Sequence, residues 1–226
     1  MFIGHFAMGL AAKRWAPKIP LGTAFIAAQL PDVIWPFLLL AGVERVAVAP
    51  GDTVVTPLRF EYYPISHSLL MVVLWGVALG LSWRGRGHGR PGALVLASLA
   101  VSHWVLDFVS HRPDLPLMPG QATVAGLGLW NSLGATLAVE GSLFAAGIAL
   151  YLTSPEARPG RGRLAFSLLA GTLAVIYLGN LFGPPPPGVT AVAVSGVVAA
   201  PALWAWGNWV DRRVTASRSA AGARPR

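Results

Sequence analysis

Six apolar stretches, each about 17 to 25 residues long, divide most of the chain, and that is the length a helix needs to cross the hydrocarbon core of a bilayer. They run Ile19–Gly42, Pro64–Trp83, Gly92–Ser110, Trp130–Leu152, Leu164–Phe182 and Thr190–Val210. In a chain of 226 residues that is 54% hydrophobic and 12% charged, they exclude an ordinary soluble domain. The expected fold class is all-α: a polytopic membrane protein with six transmembrane helices, forming one helical domain over residues 1–214. The basic tail over residues 215–226, rich in Ser, Ala, Gly and Arg, is expected to be disordered and cytoplasmic. Met1–Ala12 is too short to span at about 1.5 Å per residue, so it is either a half-helix rising into the bundle or a segment lying in the interface. Lys13 and Arg14 follow this apolar start rather than precede it, and no cleavage site is evident, so the segment is expected to be retained.

The formal charge of +8 would suggest a nucleic-acid partner in a soluble protein. Here the basic residues fall between the spans, where they report orientation instead. Three lie in Lys13–Lys18, three in Arg84–Arg90, three in Arg158–Arg163 and five from Arg212 onward; the alternate connections hold only Arg45, Arg59 and Arg112. By the positive-inside rule the basic set and the C-terminus are cytoplasmic, and the connections Val43–Tyr63 and Arg112–Leu129 are outside. No nucleic-acid partner is expected, and membrane lipids are the partners implied. With fifteen Arg against two Lys and much Ala, Gly and Pro, the composition fits a GC-rich bacterial gene. The absence of cysteine excludes disulfides and thiolate metal sites, so any metal must be held through nitrogen and oxygen.

Against this apolar background the ionisable groups stand out. An isolated charge at the bilayer centre costs roughly 2.5 to 3.5 kcal/mol on insertion scales, and such groups usually line a functional site. His103, Asp107 and His111 are spaced four apart, so successive members return to within about 40° on a helix and share one stripe. Pro113 disfavours helix at the residue before it, which puts His111 at or just past the helix end. His67, at the outer start of the preceding span, lies at about the same depth. Asp32 follows Pro31 and precedes Pro36, two breaks in the hydrogen-bond ladder that open its helix toward a cavity. His5 joins these groups only if the N-terminal segment inserts.

The spans hold three acids, Asp32, Asp107 and Glu140, and no Lys or Arg to neutralise them. Some must then be protonated, or a cation must sit among them. Imidazole with carboxylate favours zinc, then manganese or iron, over an ion that prefers oxygen alone. Glu140, near the middle of its span, has three readings: a site residue, a protonated hydrogen-bonding group, or a partner that orients a ligand. His88, among Arg84, Arg86 and Arg90, reads as solvated. Ser66 and Ser68 beside His67 do not by themselves make a nucleophile pair, which needs spatial geometry.

The segments Gly4-His5, Leu30-Pro31-Asp32, Pro64-Ile65-Ser66-His67-Ser68, Ser102-His103 with Asp107, and His111 followed by Pro113-Asp114 resemble the YdjM-like family of bacterial inner-membrane proteins. That family is described as membrane-bound metal-dependent hydrolases. The resemblance implies an all-helical membrane fold with a His and Asp metal centre, matched here by His5, Asp32, His67, His103 and Asp107, with His111 and Asp114 as additions. The expectation is a hydrolase in the cytoplasmic membrane with one or two divalent ions, Asp32 or Glu140 as general base, and a lipid or lipid-linked ester or phosphoester as substrate. Two alternatives use the same residues: a transporter coupled to protons or metal ions, and a scaffold that uses metal only to fold.

Overall fold

The computed structural model describes residues 1–157 and 162–215. The tail expected to be disordered beyond Thr215, and most of the basic run at 158–163, lie outside the described residues. Among the described residues nine α-helices follow in order: α1 (Ile3–Ala12), α2 (Leu21–Ala28), α3 (Leu30–Leu40), α4 (Pro64–His67), α5 (Leu69–Gly85), α6 (Arg90–Ser110), α7 (Leu133–Leu152), α8 (Arg163–Phe182) and α9 (Val189–Thr215). Each of α6 to α9 is long and apolar enough to cross a membrane, and α2 with α3 makes a fifth candidate bent by 60°.

Two of the six expected spans are broken. Ile19–Gly42 divides at Gln29, because Pro31 supplies no N–H to continue the ladder; Pro31 instead opens α3 from its first turn, a position proline tolerates. Pro64–Trp83 divides at Ser68, whose extended backbone separates the single turn α4 from α5 and whose hydroxyl accepts from Met71 N. At 17 residues α5 is shorter than the four uninterrupted candidates.

The chain is mostly helical, with short strands confined to loops. The two longer loops carry short antiparallel strand pairs, β1 (Arg45–Val48) with β2 (Leu58–Tyr62), and β3 (Leu115–Pro116) with β4 (Val124–Ala125). These loop backbones lie beyond the helix ends, where pairing across a hairpin is one way to satisfy N–H and C=O groups. Gly51, at φ +87°, lies in the turn region of the β1–β2 hairpin, a conformation that glycine adopts without a Cβ clash.

The polarity of the molecule is inverted relative to a soluble protein. Leu94, Leu164 and Val175 are more than two-thirds exposed, while His5, Lys13, His103, Asp107 and Glu140 are buried. Apolar side chains facing outward and ionisable ones inward are what lipid as a solvent selects. Helix α1 sits inside this arrangement, packed against α7, α2 and α6, with eight of its ten residues buried. Small residues allow the close approach: a Cβ on Gly147 of α7 would lie 2.7 Å from the carbonyl oxygen of Ala7. At the α2–α9 crossing, a Cβ on Gly22 would lie 2.0 Å from the carbonyl oxygen of Trp204.

Candidate metal centre

Packing α1 into the bundle brings His5 to the stripe on α6, and the broken helices bring Asp32 and His67 to the same place. Asp107 stands at the middle. Its Oδ1 is 3.1 Å from His5 Nε2, and its Oδ2 is 3.1 Å from His103 Nε2, 3.9 Å from His67 Nε2 and 4.0 Å from His111 Nε2. Asp32 closes the other side, with Oδ1 3.3 Å from His67 Nε2 and Oδ2 3.9 Å from His103 Nε2. The spacing of four along α6 thus does what it implied, and His111 takes the position just after the helix.

Three of the four rings are oriented by their other nitrogen. His103 Nδ1 is 2.8 Å from the carbonyl oxygen of Ala28, a residue at the α2–α3 break. His67 Nδ1 is 2.7 Å from Ser66 Oγ, which donates to Glu44 Oε2 at 2.5 Å. His111 Nδ1 is 3.0 Å from Asp114 Oδ1. An acceptor at Nδ1 assigns the proton there and turns the Nε2 lone pair inward, the arrangement that supporting groups impose on metal-binding histidines. Lone pairs facing carboxylate oxygens repel one another. The centre therefore requires a positive charge between them, as extra protons or as a metal ion.

The donor set fits a divalent ion. His5, His103 and Asp107 form one trio, and Asp32, His67 and His103 a second, each with its ligand atoms within 4.8 Å of one another. Metal–ligand bonds of about 2.0 to 2.2 Å need ligand atoms about this close. His103 Nε2 and His5 Nδ1 are buried without hydrogen-bond partners, which supports an acceptor-rich site with unused valence. Because an imidazole nitrogen has one lone pair, His103 can complete only one of the trios at a time. A buried His and Asp cluster that could bind a metal ion is thus a feature of the fold. The α-ammonium of Met1 also reaches it, 2.6 Å from Asp107 Oδ1.

Glu140 is placed differently. Its Oε2 accepts from the backbone N–H groups of Phe2 and Gly4, at 2.8 and 3.2 Å, so it satisfies the N-terminal turn of α1 and holds His5 at its depth. His88 is stacked on Trp83 in the α5–α6 connection, away from the cluster.

Sequence reasoning missed Glu44. Besides Ser66 Oγ, its carboxylate accepts from the N–H groups of Ile65 and Ser66, so one buried acid caps α4 and aims Ser66 at His67. Its position in a loop offered no periodicity to detect it. Tyr63 was missed as well; its hydroxyl donates to Asp114 at 2.9 Å. Burial, then the neighbouring Asp114 carboxylate, pushes that hydroxyl well above its ordinary range, so it remains a donor. Asp114 in turn receives Arg112 Nε at 2.9 Å, Arg112 binds Asp52 at 2.6 Å, and Asp52 receives Arg59 Nε at 2.8 Å. This chain ties the β1–β2 hairpin to the His111 end of the centre.

The chain matches no family model, no curated protein and no solved structure.

Proposed function

We propose that the protein is a metal-dependent hydrolase of the YdjM-like kind in a bacterial cytoplasmic membrane, acting on a lipid or lipid-linked ester or phosphoester at the outer side. One observation carries the reading: four histidine Nε2 atoms converge on Asp107, and two of them, those of His67 and His103, also face the carboxylate of Asp32. In this reading α2 with α3, and α4 with α5, each count as one crossing, giving six crossings around the half-helix α1. The strand-bearing loops are then outside.

His5, His67, His103 and Asp107 would hold the ion, zinc first and manganese or iron next, with Asp32 and His111 at the edge of the set. A divalent ion there supplies Lewis acidity, making a bound water acidic near neutral pH and polarising the scissile group. The protein's own part is orientation and proton transfer. The Ala28 carbonyl, Ser66 and Asp114 hold three of the rings; Asp32, whose side chain is 41% exposed while that of Asp107 is 4% exposed, is the carboxylate able to take a proton from an incoming water. Glu140, held by two N–H groups, serves by fixing α1.

Metal analysis of the protein purified in detergent, together with release of headgroup from phospholipid vesicles, tests this. Bound zinc, manganese or iron that disappears in the His103→Ala, Asp107→Ala double variant, with headgroup release that a chelator stops and the metal restores, is the expected result. Full metal content in the double variant overturns the ligand set. Topology has its own test: the described residues and the whole sequence lack cysteine, so Val54→Cys should react with a membrane-impermeant thiol reagent in intact cells and His88→Cys should not.

The contacts of His5 Nε2 and His103 Nε2 with Asp107, each at 3.1 Å, favour a second reading, a scaffold in which protons held on the rings supply the positive charge that Asp107 needs. A metal-free protein of unchanged thermal stability after addition of zinc would select it.

A further inference from the structure

Asp32 belongs to two features at once. On one side it meets His67 and His103; on the other it lines a groove of about 460 Å³ between α2–α3 and α8–α9. That volume is within the roughly 300 to 1,000 Å³ typical of small-molecule sites. Its walls are mainly apolar, including Phe6, Phe25, Ile26, Val33, Ile176 and Leu203. Two lining residues also carry buried polar atoms with no partner in the protein, the acceptor Gln29 Oε1 and the donor Trp35 Nε1. A second cavity, of about 660 Å³, lies against the 50–58 loop and Pro184–Pro187, and the two share Phe2, Asn180, Val192 and Ser195 as lining.

We propose that this pair of cavities binds one amphiphilic lipid, with a single hydrocarbon chain in the α2–α3/α9 groove and the headgroup in the cavity beneath the 50–58 loop. The proposal rests on the hydrolytic reading of the metal centre and assigns the place where its lipid substrate binds. Several observations select a lipid over another occupant. The groove is formed by helices whose outer surfaces are apolar, so the molecules beside it are acyl chains. Its apolar wall also carries a carboxylate, an unpaired donor and an unpaired acceptor, the combination of polarities found in a lipid's chain and linkage region. The bend at Gln29 produces that combination, since it places Gln29, Asp32 and Trp35 on the same groove as Ile26 and Phe25.

The test uses the full-length protein in vesicles of phosphatidylcholine doped with the same lipid carrying a diazirine on one acyl chain. After illumination, adducts are mapped by mass spectrometry and metal content is measured on the same sample. Adducts should concentrate on Ile26, Val33 and Ala199 rather than on Leu164 and Val175 of α8, which face outward. Ala199→Trp, a change at an exposed position lining the groove, should lower groove labelling about tenfold, the loss expected when two buried methylenes are displaced, and leave metal content unchanged. Equal labelling of groove and outward faces, unaffected by Ala199→Trp, would show surrounding lipid only and overturn the proposal even if metal is bound. Selective groove labelling in a protein without metal would uphold the groove and defeat the hydrolase.

Discussion

At one end of α1, Lys13 Nζ has three protons and three acceptors: the carbonyl oxygens of Pro17 and Ile19, and Asp211 Oδ2, at 2.6, 2.8 and 2.8 Å. Asp211 is completed by Leu21 N and Tyr151 Oη, and Asn208 beside it receives Gly22 N. Toward the other end, about 12 Å away at the rise of an α-helix, His5 enters a cluster with unpaired ring nitrogens and more acceptors than donors. Both clusters are buried and ionisable. The first has its valences filled from within the chain and works as a clamp between the α1–α2 turn and α9. The second keeps unpaired ring nitrogens beside its carboxylates, which is the property that could let it bind a metal ion.

That contrast can be broken by substitution. The largest stability effect is expected at the clamp: Lys13→Met leaves Asp211 buried and uncompensated, at a cost of about 3 to 5 kcal/mol. Thermal unfolding in detergent should show it, and Asp211→Leu added to Lys13→Met should restore most of the loss. If Lys13→Met is neutral, the clamp is decorative. His103→Ala should do the reverse, reducing metal affinity more than about a hundredfold, since a ligand matters more than the groups that orient it. Unfolding of its metal-free form should shift less than that of Lys13→Met; a larger shift would mean that the two clusters are both structural.

Ser66→Ala sharpens the comparison at one remove from the ligands. It removes the link between Glu44 and His67 Nδ1 and is expected to weaken metal binding about 10- to 100-fold, with Ser66→Thr recovering much of it. A titration with zinc, read alongside helix content, separates this from loss of the α4 cap. The smallest effect is at the hairpin. Burial would raise the Asp52 carboxyl, but hydrogen bonds from Arg59 and Arg112 outweigh it and hold the group below the ordinary carboxylate range. The stabilisation is present above the unfolded value, about 3.9, and is lost as pH falls through the lower folded value. Asp52→Asn should therefore flatten the acid limb of the stability profile, by less than about 1 kcal/mol because Arg59 is exposed. A steeper acid limb in Asp52→Asn would reverse the sign.

The features readable from sequence are those with a period or a solvent preference. Apolar runs located α6 to α9 closely, and the four-residue spacing of His103, Asp107 and His111 placed them on one face. Asp32 and His67 were legible because an acid or imidazole in an apolar run has few other uses. The break at Ser68 was not, since Ser66-His67-Ser68 contains no proline or glycine to mark it. Glu44 and the Lys13–Asp211 pair were illegible for a related reason: each acts on a partner 22 or 198 positions away, and nothing local announces the meeting. Glu140 was seen but could not be assigned until α1 was in place above it.

The Ala28 carbonyl that receives His103 has a consequence for how this chain tolerates mutation. A side-chain anchor such as Ser66 can be erased by one codon change, whereas a main-chain oxygen is supplied by every amino acid. The alignment of His103 is therefore indifferent to what residue occupies position 28, within the limits of space, and its genetic vulnerability is displaced to Pro31. A survey of tolerated variants should find the anchor's own position permissive for small residues and the proline three places later resistant to replacement.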